Sequence, residues 1–136
     1  MSLKLITNPG AYQADVYAIA RAVYAETGAS SLAAVEALCS MIANLARATS
    51  RSVADIVCDA NVFGSRNSQS PHHYKWCESA SSRGFQMCLR VARRMYGGGL
   101  RDTVRGAVRF HHADEIPEWA TARGYIADID GLLFYL

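Results

Sequence analysis

The chain has 136 residues, half of them apolar and a fifth charged, with a formal net charge of +2. That is enough for one sizeable core over 1–136, and so even a charge balance gives no reason to expect nucleic acid as a partner, although a mildly basic surface would suit an anionic polymer. No run of about 18 apolar residues marks a membrane-spanning helix. The apolar stretch near Met1 is too short for a signal peptide, so synthesis in the cytoplasm is the expectation.

Tyr12, Val16, Ile19 and Val23 recur at spacings of four, three and four. This is one apolar stripe of a helix over 12–27, preceded by a turn at Asn8-Pro9-Gly10. Glu26 follows Val23 by three, so it falls inside the stripe and points toward the core, while Gly28 is a natural left-handed stop. A carboxylate there faces the negative end of the helix dipole, and with burial this is expected to raise its pKa, as a general acid requires. The competing reading is a partly exposed acid at a fraying helix end.

A second helix starts near Ser30-Ser31, with the stripe Leu32, Val35, Cys39, Ile42 and Ala46, and ends at 47–49. A short third helix covers 52–59. From Phe63 to Trp76 the chain is too polar and turn-rich for a regular element, and a loop this long is usually functional or disordered. Tyr74 and Trp76 within it offer either an aromatic wall for sugar rings or caps on the core. The fourth helix covers 79–96, with Phe85, Cys88, Leu89, Ala92 and Tyr96 inward, and Gly97-Gly98-Gly99 ends it. Residues 107–111 alternate like a strand, and 125–129 with 132–135 form a hairpin around Asp130-Gly131. Helices first and a small antiparallel sheet last make the chain α+β.

Of the four cysteines, Cys39 and Cys88 fall on apolar helix faces, whereas Cys58 and Cys77 flank the loop and could pair outside a reducing compartment. The pairs His72-His73 and His111-His112 invite a metal reading. Adjacent histidines point apart, however, and no Cys-x-x-Cys or His-x3-His spacing occurs, so neither metal nor cofactor is expected.

Four segments, in order, resemble the SleB/CwlJ-type cell-wall hydrolases, the family that includes spore-cortex-lytic enzymes. They are 22–28 (Ala-Val-Tyr-Ala-Glu-Thr-Gly), the helix 36–44, Asp55-Ile56-Val57-Cys58 with Phe63, and 106–111 through Pro117-Glu118-Trp119 to Phe134-Tyr135. The resemblance implies a lysozyme-like domain that cuts the MurNAc-GlcNAc β-1,4 bond of peptidoglycan, largely as a lytic transglycosylase, with Glu26 as the catalytic acid. It implies that His111 shapes the cleft by hydrogen bonds to sugar or to Glu26, and Trp119 by stacking. Structural alternatives stand beside both roles, a strand-end histidine and a core tryptophan. Tyr24 and Tyr135 could bond substrate through their hydroxyls. The sequence departs from the family where Ala29-Ser30-Ser31 replaces a second acid after the glycine, and where Asn44 and Arg47 stand apart instead of adjacent.

A true hydrolase needs a second carboxylate, for which Asp59, Asp114, Glu115, Glu118 and Asp128 are candidates, whereas a lytic transglycosylase manages with one. The alternatives from other classes are a non-catalytic glycan-binding domain and a structural component of a phage particle, each with a lysozyme-like groove. An endolysin-like enzyme would be released to the cell wall by a holin or an export partner.

Overall fold

The computed structural model describes residues 9–77 and 81–136. Helix α1 spans Pro9–Thr27, α2 Leu32–Thr49, α3 Val53–Val57 and α4 Arg83–Tyr96, and the strands are β1 Arg109–His112, β2 Tyr125–Ile129 and β3 Leu132–Tyr135. The protein is α+β: four helices, then a three-stranded antiparallel sheet in the order β1-β3-β2.

Helix α1 begins earlier than its stripe suggests. Pro9 and Gly10 lie inside it instead of in a turn, because a proline in the first helical turn loses no hydrogen bond and already has a helical φ. Asn8 lies outside the described residues. Val16, Ile19 and Val23 are buried as the stripe requires, and Gly28 stops the helix at φ +61°.

Ser31 caps α2, its hydroxyl accepting from Ala34 N–H at 3.1 Å, and Ser52 and Ser82 cap α3 and α4 in the same way. The Ser82 cap starts α4 at Arg83, later than the expected Ser79, which lies outside the described residues. Leu32, the first residue of the α2 stripe, is half exposed. Helix α2 is long and apolar enough by composition alone to cross a membrane, contrary to the sequence reading, but in this fold half of it is buried as a core helix.

Two polar braces tie the helices to later chain. Buried Arg21 lies over the Phe85 ring at 4.3 Å and donates to the Tyr17 hydroxyl (2.8 Å) and the Lys75 carbonyl (3.3 Å), linking α1 to α4 and to the loop. Buried Asn44 donates from Nδ2 to Asp102 Oδ2 and to the Ala107 carbonyl, both at 3.2 Å, and Arg47 donates to its Oδ1 at 2.5 Å. Asn44 and Arg47 therefore hold the chain that enters β1.

The hairpin turns on Asp130 and Gly131, both at positive φ, as a two-residue type I′ turn requires. Ser30 Oγ donates to Asp130 Oδ2 at 2.6 Å, pinning this tip to the α1–α2 connection. The sheet thus closes against the end of α1 that carries Glu26.

Candidate active site

Glu26 is 4% exposed, at the C-terminal turn of α1. Its two oxygens have separate donors. Oε1 accepts the Ser65 backbone N–H at 2.9 Å, and Oε2 meets His112 Nε2 at 2.7 Å. Burial alone would push this carboxyl up, but the His112 and Ser65 hydrogen bonds and the His112 charge outweigh it and hold Glu26 below the ordinary carboxylate value. The expected raised pKa is therefore corrected: α1 supplies a buried position, and distant chain supplies donors that the helix alone does not show.

Burial would likewise lower His112, yet the bond to Glu26 and the charges of Glu26, Glu115 and Asp114 raise it above the ordinary imidazole value. Glu26 and His112 form an ion pair with side-chain exposures of 2% and 14%.

The partner histidine is set by the pleat of β1. Successive side chains alternate between faces, so Phe110 and His112 share one face and Arg109 and His111 the other. Phe110 stacks toward Phe63 and Phe134. His111, expected to bond sugar or Glu26, does not meet Glu26, whose Oε2 is taken by His112, and sits among Trp119 and Tyr135 on the wall of the cavity. Its Nδ1 meets the His112 carbonyl at 2.7 Å and must be the donor there, and its Nε2 meets the Tyr135 hydroxyl at 2.9 Å.

The polar loop is folded onto Glu26. Two short 3₁₀ turns, Gly64–Arg66 and His73–Cys77, order it. Ser65 is the point they converge on: its carbonyl accepts from His73 Nδ1 at 2.8 Å and its hydroxyl from Trp76 Nε1 at 2.9 Å. The Trp76 ring is itself covered by the Arg66 guanidinium at 4.1 Å. Trp76 thus packs against the core and braces the loop turn that brings the Ser65 N–H to Glu26. Tyr74 is 61% exposed. Tyr24 is buried against Phe85 in the core, and Tyr135 is buried beside His111.

A cavity of about 330 Å³ opens over Glu26, His112 and Ser65, walled by Trp119, Pro117 and the polar side chains of Asn61, Asn67 and Gln69. A second, of about 240 Å³, shares Glu26, His72 and His112 with the first and is otherwise lined by Thr27, Ser30, Lys75, Asp130 and Leu132. Glu26 therefore lies where two cavities meet. Tyr24, Tyr74, Trp76 and Tyr135 line neither, whereas His111 and Trp119 line the first.

Of the carboxylates considered as partners, Glu115 lines the larger cavity. Asp59 is engaged by Arg51 and by Asn61 N–H, and Asp128 accepts Gly131 N–H. No family model, curated protein or solved structure matches this chain. What the site can do is therefore set by its own groups. Among the described residues no cluster of three or more His, Cys, Asp or Glu has metal-binding geometry. Cys58 is an exposed free thiol, and the side chain of its expected partner Cys77 lies outside the described residues.

His72 stacks on His112 with ring centroids 4.5 Å apart and planes at 11°. Burial and the neighbouring His112 and Lys75 cations lower its pKa, so its Nδ1 is free to accept from Lys75 Nζ at 3.3 Å. The sequence reading passed over Ser65 and Lys75, and weighed His72 and His112 only as metal ligands. The two histidine pairs were its nearest signal, and the β1 pleat turns only the second member of the pair His111-His112 toward Glu26.

Proposed function

We propose that this chain cleaves the MurNAc-GlcNAc β-1,4 bond of peptidoglycan as a lytic transglycosylase, within a lysozyme-like fold of the SleB/CwlJ type and without a cofactor, acting at the bacterial cell wall. The observation that carries this reading is the nearly buried Glu26 carboxylate at the meeting point of two cavities, with one titratable proton held between it and His112.

The mechanism follows from that pair. In the free protein the proton resides on His112 and Glu26 is ionised. A glycan strand that fills both cavities displaces water, which penalises separated charges more than a neutral pair and draws the proton onto Glu26. Glu26 then donates it to the glycosidic oxygen, the MurNAc C1–O4 bond breaks, and the GlcNAc hydroxyl leaves while positive charge develops at C1. The carboxylate so formed, steadied by the Ser65 N–H, accepts the proton of the muramyl C6 hydroxyl as that oxygen bonds to C1. The product is a 1,6-anhydro sugar, no water is consumed, and Glu26 ends with its proton restored.

Trp119, 37% exposed at the wall of the larger cavity, offers an aromatic face or edge to a sugar ring. Glu115 favours one rival: as a second carboxylate on the same cavity it would serve a hydrolase through a positioned water. Mass analysis of digested peptidoglycan separates the two, since anhydro ends mark the transglycosylase and reducing ends the hydrolase.

A further inference from the structure

The smaller cavity holds a cation that the proposed chemistry does not use. Lys75 is half-buried, and its Nζ meets His72 Nδ1 and lies 5.8 Å from the Tyr74 ring centroid. No carboxylate lies within ion-pair distance of it among the described residues, although Arg51 has two and Arg94 and His112 one each. A half-desolvated ammonium facing a cavity without a counter-ion is an anion site in waiting.

The ammonium lies close to the end of α1: a Cβ built at Gly28 would stand 3.4 Å from Lys75 Nζ, in ordinary contact. Glu26 is neutralised by His112, and Asp130, exposed at the hairpin tip, accepts the Ser30 hydroxyl at 2.6 Å, so Lys75 is the cation on this cavity left for an incoming anion.

We infer that the cavity bounded by Lys75, Ser30 and Asp130 is a muramyl subsite, in which Lys75 receives a carboxylate carried on the lactyl arm of the sugar. This rests on the glycan-cleaving reading and deepens it. A muramyl unit is the sugar of the strand that bears such an arm, and the transglycosylase route requires that unit, with its C6 hydroxyl, beside Glu26. Asp130 and the Ser30 oxygen, whose proton is given to Asp130, are left to accept from the hydroxyl and N–H groups of the ring. The carboxylate has two sources, the lactyl group itself on peptide-free strands or the terminus of a short stem attached to it, and both present the same oxyanion to Lys75.

The test is a chemical-shift titration of the full chain with N-acetylmuramic acid, N-acetylmuramyl-L-alanine and the methyl ester of each. At least one acid is expected to bind about three- to tenfold tighter than its ester, the size of one half-exposed charge-assisted contact. Shifts should centre on 28–30 and 130–132. Preference for the free lactyl acid assigns peptide-free strands, and preference for the alanyl form assigns stems. In Lys75→Met the ratio of acid to ester affinity should fall to about one, and in Lys75→Arg it should persist. Equal binding of acid and ester by the parent, a preference that survives Lys75→Met, or no binding of any of the four sugars overturns the subsite. Digestion of peptidoglycan by the same preparation reads the cleaving function separately: strands cut by a protein that fails the titration would remove the Lys75 subsite alone, and intact strands would remove the glycan-cleaving reading beneath it.

Discussion

Glu26 has both oxygens occupied by donors drawn from chain far away in sequence, one from the loop and one from β1. Its behaviour with pH follows from that. The Glu26 carboxyl is held below its ordinary value of 4.5, so its share of stability is present above about pH 4.5 and is lost as pH falls through the lowered folded value. His112 is raised above its ordinary 6.5, so its share is complete below about pH 6.5 and is lost as pH rises through the raised folded value. The pair therefore stabilises the fold most between about pH 4.5 and 6.5. Thermal unfolding of the parent and of His112→Gln across pH should differ most in that window, by about 2–4 kcal/mol, the scale of stripping a buried charge of its partner. A difference that stays flat from pH 4 to 9 would contradict the ion pair. Cleavage should fall as pH rises through the raised His112 value, where the proton shared by the pair is lost, and in His112→Gln that fall should move to lower pH, where the Glu26 carboxyl alone must hold the proton. Tyr135→Phe removes only the hydroxyl that His111 meets, and it should cost about 1 kcal/mol in denaturant titration while leaving that pH dependence in place.

At the scale of elements, the helices were the most legible part of the chain. Their stripes, serine caps and glycine stops are local signals, and burial of Glu26 followed from its phase on α1 alone. The Asp130-Gly131 hairpin was equally plain, because a type I′ turn needs residues that tolerate positive φ. What the sequence concealed was made by long-range contact. Which of two adjacent histidines meets Glu26 depends on the register of β1 against β3, where His112 pairs with Leu132, and a shift of one residue would exchange the two. The 63–77 loop has no period to read, and Ser65 gains its position from His73 and Trp76 only once the loop has folded. Trp76→Phe keeps the ring under Arg66 but deletes the donor to the Ser65 hydroxyl. Cleavage should fall about tenfold with little loss of melting temperature, and unchanged kcat would show that the Ser65 N–H needs no such brace. Gly84 is a packing contact of the opposite kind. A Cβ there would come within 2.9 Å of Ala29 Cβ, so Gly84→Ala should cost about 1–3 kcal/mol in thermal unfolding despite the better helix propensity of alanine.

Across the whole molecule, the helical part and the C-terminal sheet meet at Glu26, and the two cavities run to either side of it. Charge is also unevenly divided along the chain. Helix α4 carries Arg83, Arg90, Arg93 and Arg94, all exposed, and no acid, whereas residues 110–136 hold Asp114, Glu115, Glu118, Asp128 and Asp130 against Arg123 alone. The even net charge of the composition thus hides a basic helix. On an anionic wall that helix should raise retention at low ionic strength, and sedimentation with wall fragments should weaken as salt shortens the screening length from about 10 Å at 0.1 M. Arg90→Gln with Arg93→Gln should flatten this salt dependence without altering the product.

The most direct measurement is digestion of purified peptidoglycan by the parent and by Glu26→Gln, with mass analysis of the released fragments and an imidazole titration of His112 on the same samples. The substitution is nearly isosteric and removes the carboxylate that both the chemistry and the ion pair require. Anhydro-muramyl ends from the parent, a loss of at least about a hundredfold in the variant, and a His112 pKa that falls when Glu26 is replaced are the predicted results. Equal cutting by both proteins, or no cutting of any peptidoglycan by the parent while His112 titrates as predicted, would contradict a catalytic Glu26 and leave the pair as a structural contact in a glycan-binding groove.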